Sequence, residues 1–174
     1  GVGQIAVQWA RALGATVIGT VGSEDKAAIA RSLGCDHVIN YREEEFAPRV
    51  RELTQGRGVP VVFDSVGAAT FEGSLDSLAP RGMLVSFGNA SGAVPPVSPN
   101  VLAAKGSLYL TRPRLADYTA TRAELLETAA DLFAVISSGQ VRISIGQRYA
   151  LQDAAQAHRD LEARRTTGST VLLP

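Results

Sequence analysis

The 174-residue sequence predicts an α/β fold in which a doubly wound parallel sheet carries helices on both faces. Two observations lead to this prediction. Segments with apolar residues at helical spacing alternate with short segments rich in β-branched residues along the whole chain. The segment "VPVVFDSVG" is apolar without alternation, which is typical of a strand that is buried on both faces of a parallel sheet.

The first helical pattern follows a glycine turn. Apolar residues at helical spacing run from Val2 to Leu13, and the strand "ATVIGTVG" comes next. A helix followed by a strand is the second part of a βαβ unit, so we expect a chain that is truncated before or within the first strand of that unit. Because glycine has no Cβ, such a turn lets a pyrophosphate approach the free N–H groups of a helix N-terminus. Gly1, Val2 and Gly3 are therefore candidate cofactor-binding residues.

The end of the next predicted strand indicates which dinucleotide would bind. In NAD-binding units an acidic residue roughly 20 positions after the glycines accepts a hydrogen bond from the ribose 2′-hydroxyl. Here the strand ends on Gly22 and Ser23, followed by Lys26. Their N–H, hydroxyl and ammonium donors suit a 2′-phosphate, which favours NADP(H). Ser23 is equally suited to cap the next helix, with Glu24 in its first turn, and the two roles are compatible.

The alternation continues through the rest of the chain. The further strand patterns are "DHVINY", "VPVVFDSVG", "MLVSFG", "KGSLYLTRP", "VRISI" and "GSTVLLP". The further helical patterns surround Ile29, Val50, residues 70–78, Leu132 and Ala157. We expect turns at residues 80–82 and at Gly146, and a loop over "GNASGAVPPVSPN". The strand "KGSLYLTRP" has mixed faces, as expected of an edge strand or a subunit contact.

Composition excludes several classes of function. The chain has 17 basic and 17 acidic residues, so no net charge attracts nucleic-acid phosphates or an anionic membrane. No apolar run of about 20 residues predicts a membrane span. The single Cys35 excludes an intrachain disulfide and a thiolate metal site, which fits a reducing compartment, and we expect the cytoplasm.

No catalytic residue is recognisable. Asp64 and His37 lie near predicted strand ends, but no partners complete a triad around either of them. We therefore assign no catalytic residue and no metal ligand in this chain.

Together these segments resemble a known family. "GVGQIAVQWARALGATVIGTVGSEDK", "INYREE", "VFDSVG", "LVSFGNASG", "KGSLYLTRP" and "AHRDLEARRTTGSTVLLP" are similar, in order, to the quinone oxidoreductase (zeta-crystallin-like) branch of the zinc-independent medium-chain dehydrogenase/reductases. The resemblance implies a Rossmann-type NADP(H)-binding domain over residues 1–138, incomplete at its N-terminus. It also implies that residues 139–174 return to a GroES-like catalytic domain that this chain lacks.

The resemblance assigns cofactor contacts residue by residue. It implies that the dinucleotide turn contains Gly1, Val2 and Gly3, that the adenosine 2′-phosphate lies near Gly22, Ser23, Lys26, Tyr41 and Arg164, and that the nicotinamide ribose lies near Gly67, Phe87, Gly88 and Asn89. The implied activity is metal-free hydride transfer from NADPH to a quinone or conjugated enone. The implied assembly is a homodimer that uses the strand "SLYLTRP".

Two alternatives stay open at this point. One is an enoyl or alkenal reductase of the same family, since substrate recognition would depend largely on the catalytic domain. The other is an NADP(H)-binding module without turnover. RNA binding is a poor fit, because the net charge is zero and no aromatic and basic stripe is present.

Overall fold

The computed structural model describes residues 1–163 and 165–174. The helices are α1 (Val2–Ala12), α2 (Glu24–Ser32), α3 (Phe46–Leu53), α4 (Phe71–Asp76), α5 (Pro99–Ala104), α6 (Leu115–Tyr118), α7 (Arg122–Ser137) and α8 (Ala154–Glu162). The strands are β1 (Ile18–Val21), β2 (His37–Asn40), β3 (Val59–Asp64), β4 (Leu78–Ser86), β5 (Tyr109–Thr111), β6 (Ile145–Ala150) and β7 (Ser169–Leu173). None of the helices in the described ranges is both long and apolar enough to span a bilayer.

The strands form three sheets, β1 with β2, β3-β4-β5 in that order, and β6 with β7. The pairs β3/β4, β4/β5 and β6/β7 are parallel. The α/β class and the parallel pairing predicted from the sequence are confirmed. Internal contacts divide the chain into two units, one of Gly1–Val38 with Glu127–Pro174 and one of Ile39–Leu126.

In the first unit, a side chain of α1 forms hydrogen bonds with the backbone N–H and C=O groups of one residue, as a neighbouring strand would. Gln8 is the buried residue of this helix. Its amide nitrogen donates to the carbonyl oxygen of Arg142 at 3.1 Å, and its amide oxygen accepts from the Arg142 backbone N–H at 2.9 Å. The same nitrogen donates to the Gln4 carbonyl at 2.9 Å. This pairing satisfies both backbone groups of Arg142 and holds α1 to the segment before β6.

Two expectations for the first unit are wrong. The strand predicted over residues 141–145 begins only at Ile145, and Gly146 lies inside β6 rather than in a turn. A Cβ at Gly146 would collide with the carbonyl oxygen of Thr167. Glycine is therefore required there because two backbones approach closely. In the sequence, a glycine of this kind cannot be distinguished from a glycine in a turn.

The core of the second unit lies between α4 and the β3-β4-β5 sheet. Its buried cluster consists of Phe71, Leu75, Leu78, Leu84 and Leu108. Burial of one such side chain contributes about 1.5–3 kcal/mol, so this cluster is the main source of stability in the unit.

The expectation that β3 is buried on both faces is wrong. Val59 and Val62 pack against the core cluster, but Val61 and Phe63 are 41% and 71% exposed. The reason is that α4 contacts β3, with Phe71 and Leu75 of that helix in the cluster, while Val61 and Phe63 alternate with the covered residues and point to the opposite face. A continuous apolar run indicates that a strand can be covered on both faces, but it does not specify what covers each face.

The turn predicted at residues 80–82 also differs. Strand β4 begins earlier, at Leu78, and contains these residues as an irregularity. Leu78 lies opposite Val59, and the next paired residue of β4, Met83, lies opposite Val61. The additional residues loop out of the ladder, so the proline and glycine mark a bulge within one strand.

Two short helices, α5 and α6, were not predicted. The loop expected over residues 88–100 ends when α5 begins, with Ser98 as N-cap and Pro99 in the first turn. The edge position expected for "KGSLYLTRP" is confirmed, since β5 is the last strand of its sheet.

Candidate cofactor site

The N-terminus of α1 has the open backbone that a phosphate requires. In the described part of the chain, no side chain forms a capping hydrogen bond at the start of α1, and the N–H of Gln4 donates to the Gly1 carbonyl at 3.1 Å. A Cβ built on Gly3 would meet nothing within 4 Å, so the space beside this first turn is open. Uncapped N–H groups at the positive end of an 11-residue helix are suited to an anion.

The turn after β1 places donors at the end of the strand. Ser23 caps α2, since its Oγ accepts from the Lys26 backbone N–H at 3.4 Å. The capping role foreseen for Ser23 is thus confirmed, and its O–H hydrogen remains available to donate. Glu24 forms an ion pair with Arg31, so its carboxylate is occupied along its own helix.

Lys26 lies in the first turn of α2. Among the residues that the structure describes, no carboxylate forms an ion pair with Lys26. Within those residues, no ion pair therefore offsets the charge of the Lys26 ammonium group.

The loop after β2 presents Tyr41. The Asn40 side chain fixes this loop, because its amide donates to Glu43 at 2.6 Å and accepts from the Arg42 backbone N–H at 3.2 Å. Tyr41 is 36% exposed, so part of this residue is accessible to solvent.

The remaining predicted contacts lie together at the carboxyl ends of β3 and β4. The Phe87 N–H donates to the Asp64 carbonyl at 2.8 Å, and Gly67 follows in the turn after β3. The side chains of Phe87 and Asn89 are exposed, whereas Gly67 is buried. In parallel α/β sheets ligands bind beyond the carboxyl ends of the strands, which is where these residues lie.

Arg164 lies outside the described residues. Its neighbour Arg165 forms an ion pair with Asp160, which also accepts from the Tyr149 hydroxyl at 2.8 Å. Arg165 and then Tyr149 hold the pKa of Asp160 below its ordinary value. The charge of Arg165 is therefore partly neutralised within the chain.

The sequence pattern did not single out the residues that organise the turn after β3. Asp64, considered above only as a catalytic candidate, is 5% exposed and accepts hydrogen bonds from Thr70 and Ser74 at 2.7 Å each. Its other oxygen accepts the N–H groups of Val66 and Gly67, so both carboxylate oxygens already accept hydrogen bonds inside the protein. The signal that was available is the run "DSVGAAT", in which an aspartate after a strand is followed by a glycine and a hydroxyl residue.

Comparison with known proteins identifies the family. The family profile described as zinc-binding dehydrogenase matches residues 1–132. The chain belongs to this family. It is 57% identical over 174 residues to a quinone oxidoreductase of Pseudomonas aeruginosa, matching all of this chain and 54% of that protein. It is 49% identical over its whole length to a 2-haloacrylate reductase of Burkholderia, of which it covers 53%.

Solved structures agree with the family assignment. The crystal structure of Escherichia coli quinone oxidoreductase complexed with NADPH matches all of this chain with a TM-score of 0.96 and 53% identity. The chain covers 54% of that structure, so it spans about half the length of the relatives that it matches. Despite the family's descriptive name, the described part of this chain contains no group of three or more His, Cys, Asp or Glu side chains placed to hold a metal ion.

Proposed function

We propose that this chain is the NADP(H)-binding part of a quinone oxidoreductase that transfers hydride from NADPH to a quinone. The observation that carries the proposal is the end of β1, where Gly22, Ser23 and Lys26 stand in place of the acidic residue of NAD-binding units. The Escherichia coli relative, 53% identical, is described as complexed with NADPH. The relatives named quinone oxidoreductase supply the reaction class.

The donor set fits the cofactor. The uncapped first turn of α1 suits the pyrophosphate, and the Ser23 hydroxyl with the Lys26 ammonium suits a 2′-phosphate. A 2′-hydroxyl would bind these donors more weakly than a 2′-phosphate, because it carries no negative charge to pair with the Lys26 ammonium group. The proposed cofactor-binding residues are Gly1, Val2, Gly3, Gly22, Ser23, Lys26, Tyr41, Gly67, Phe87, Gly88, Asn89 and Arg164.

The proposed role of the residues in this chain is to bind and orient the cofactor. Bound NADPH supplies the hydride itself. The loops after β3 and β4 would fix the nicotinamide half, with Gly67 packed closely against the backbone of Gly92 in the second loop and Asn89 exposed. Chemistry of this kind depends on proximity and orientation more than on a protein nucleophile, and no catalytic residue is proposed here.

A second candidate is reduction of a conjugated double bond. The Burkholderia relative, 49% identical over the whole chain, is named a 2-haloacrylate reductase, and haloacrylates are conjugated alkenes. Both reactions use the same hydride donor, so the cofactor residues serve either. A third candidate is an NADP(H)-binding module without turnover.

Further parts of the proposal concern organisation. We propose that residues 139–174 return to a separate catalytic domain, that the protein works without metal in the cytoplasm, and that it forms a homodimer. The edge strand β5, with Tyr109 59% exposed, supports a contact between subunits. Metal analysis and analytical ultracentrifugation of the full-length protein test the metal and dimer proposals.

The testing experiment measures oxidation of NADPH and of NADH by the full-length protein with a benzoquinone and with 2-chloroacrylate. We expect quinone reduction with NADPH preferred, and loss of that preference in Lys26→Ala. Lys105→Ala is the matched control, because Lys105 forms ion pairs with Asp76 and Glu72 and is not one of the proposed cofactor-binding residues. Turnover of 2-chloroacrylate alone would favour the second candidate. Binding of NADPH without turnover of either substrate would favour the third.

A further inference from the structure

A buried carboxylate connects the two loops at the carboxyl edge of the β3-β4-β5 sheet. Asp64 is the last residue of β3, lies opposite Ser86 of β4 and is 5% exposed. Its Oδ1 accepts the N–H groups of Val66 at 2.8 Å and Gly67 at 3.1 Å. One carboxylate oxygen therefore fixes the turn that contains Gly67.

The second oxygen of the same carboxylate fixes the start of α4. Asp64 Oδ2 accepts the hydroxyls of Thr70 and Ser74, each at 2.7 Å. Burial alone would raise the pKa of Asp64, but the Ser74 and Thr70 hydroxyls and the N–H groups of Gly67 and Val66 outweigh it and hold that pKa below its ordinary value. Asp64 is thus an anion whose four donors come from the turn and the helix.

The turn after β3 in turn holds the loop after β4. The Ala68 N–H donates to the Gly92 carbonyl at 3.1 Å, and the Ser91 N–H donates to the Val66 carbonyl at 2.7 Å. A Cβ on Gly88 would collide with the backbone of Ser65. Two loops that are hydrogen bonded and in backbone contact move together, so a displaced turn displaces the loop that carries Asn89.

The loop after β4 borders a cavity. This cavity, of about 270 Å³, is lined by Ser86 at the end of β4, by Asn89 of the loop, and by Leu110 and Arg112, among others. The proposed function assigns Gly67 and Asn89 of these loops to the nicotinamide half of the cofactor. Ligands of parallel α/β folds bind beyond the carboxyl ends of the strands, where both loops lie.

We propose that Asp64 is a positioning residue that holds the loops of Gly67 and Asn89 in the geometry required to bind the nicotinamide half of NADPH. The inference rests on the proposed function. Asp64 itself does not contact the cofactor, because its two oxygens already accept four hydrogen bonds inside the protein. Its effect is confined to one half of the ligand.

Because the effect of Asp64 is confined to the nicotinamide half, the test compares a ligand that has this half with one that lacks it. The full-length protein and its variants are titrated with NADPH and with 2′,5′-ADP, which contains the adenosine 2′-phosphate half only. Asp64→Asn keeps an acceptor for the two backbone N–H groups but turns an NH₂ group toward the two hydroxyls. We expect it to raise the NADPH dissociation constant about tenfold and to leave the 2′,5′-ADP constant unchanged.

A second pair of variants tests the same inference without changing Asp64. Ser74→Ala deletes one donor to Asp64, and we expect it to raise the NADPH constant about threefold with no change for 2′,5′-ADP. Ser77→Ala is the matched control, since Ser77 is equally buried and its hydroxyl donates to the Gly73 carbonyl instead. We expect it to change neither constant.

Three results would overturn the inference. Equal weakening of both ligands would show that Asp64 and Ser74 only stabilise the fold. Unchanged NADPH binding in Asp64→Asn and Ser74→Ala would show that the loops do not need this carboxylate. A wild-type protein that binds 2′,5′-ADP and NADPH equally weakly would overturn the proposed function as well, and this result is separate from the other two because it does not involve the variants.

Discussion

Replacing Gly67 by alanine places a methyl group where the structure has no room for one. Gly67 has φ +92°, and a Cβ there would lie 2.5 Å from the Gly92 carbonyl oxygen and 3.2 Å from the Asn89 Cα. The left-handed conformation alone costs an alanine about 1–2 kcal/mol. The collision with the Gly92 carbonyl oxygen also breaks the hydrogen bond that this oxygen accepts from the Ala68 N–H. That hydrogen bond is worth about 0.5–1.5 kcal/mol.

A matched substitution isolates the collision. Gly56 has φ +79°, but a Cβ there would meet nothing within 4 Å. Gly56→Ala should therefore lower the free energy of unfolding by about 1–2 kcal/mol, and Gly67→Ala by about 2–4 kcal/mol. Urea titrations followed by circular dichroism measure both values. Gly67→Ala should also weaken NADPH binding, whereas Gly56→Ala should not.

Equal losses of stability in the two variants would refute this reasoning. Such a result would mean that the two loops separate without cost, and that the hydrogen bonds between them do not fix their relative position. Unchanged NADPH binding in Gly67→Ala would contradict the ligand-facing role of the turn in the same experiment.

Three further predictions concern stability. Leu84→Ala removes a fully buried core side chain and should cost about 2–5 kcal/mol in urea unfolding, whereas Leu13→Ala, at a residue 78% exposed, should stay within about 0.5 kcal/mol of the wild type. Gln8→Leu leaves both backbone groups of Arg142 without their partner and should lower the free energy of unfolding by about 2 kcal/mol, and a loss below 0.5 kcal/mol would contradict the pairing described above. The pKa of Asp64 is lowered in the folded state, so its contribution to the free energy of unfolding is complete above the unfolded-state pKa of about 3.9 and is lost as the pH falls through the folded-state pKa. The difference in stability between wild type and Asp64→Asn should therefore be smaller at pH 3 than at pH 7. A constant difference would refute the ionised state of Asp64.

Local signals in the sequence predicted much of the fold. The Ser23 cap, the apolar spacing of α1 and the β-branched run of β1 depend on neighbours within one turn or strand, and the structure has them where expected. Helix α5 also had a local signal, because Ser98 and Pro99 are a typical helix start, but the surrounding glycines and prolines favoured a loop.

Other features depend on contacts between distant segments. The exposure of Phe63 follows from which neighbours β3 has, and the need for glycine at 146 follows from the backbone at Thr167. The candidate site shows the same division. The donors Ser23 and Lys26 were recognisable from their position after a strand, whereas the role of Asp64 depends on Ser74, ten residues further along the chain.

The most direct measurement is the affinity of the full-length protein for NADPH and for NADH under identical conditions. The account predicts that NADPH binds at least about tenfold more tightly, since the 2′-phosphate adds a charged contact with Lys26. Equal affinity for the two dinucleotides would contradict the assignment of Gly22, Ser23 and Lys26 to the 2′-phosphate, and with it the proposed use of NADPH.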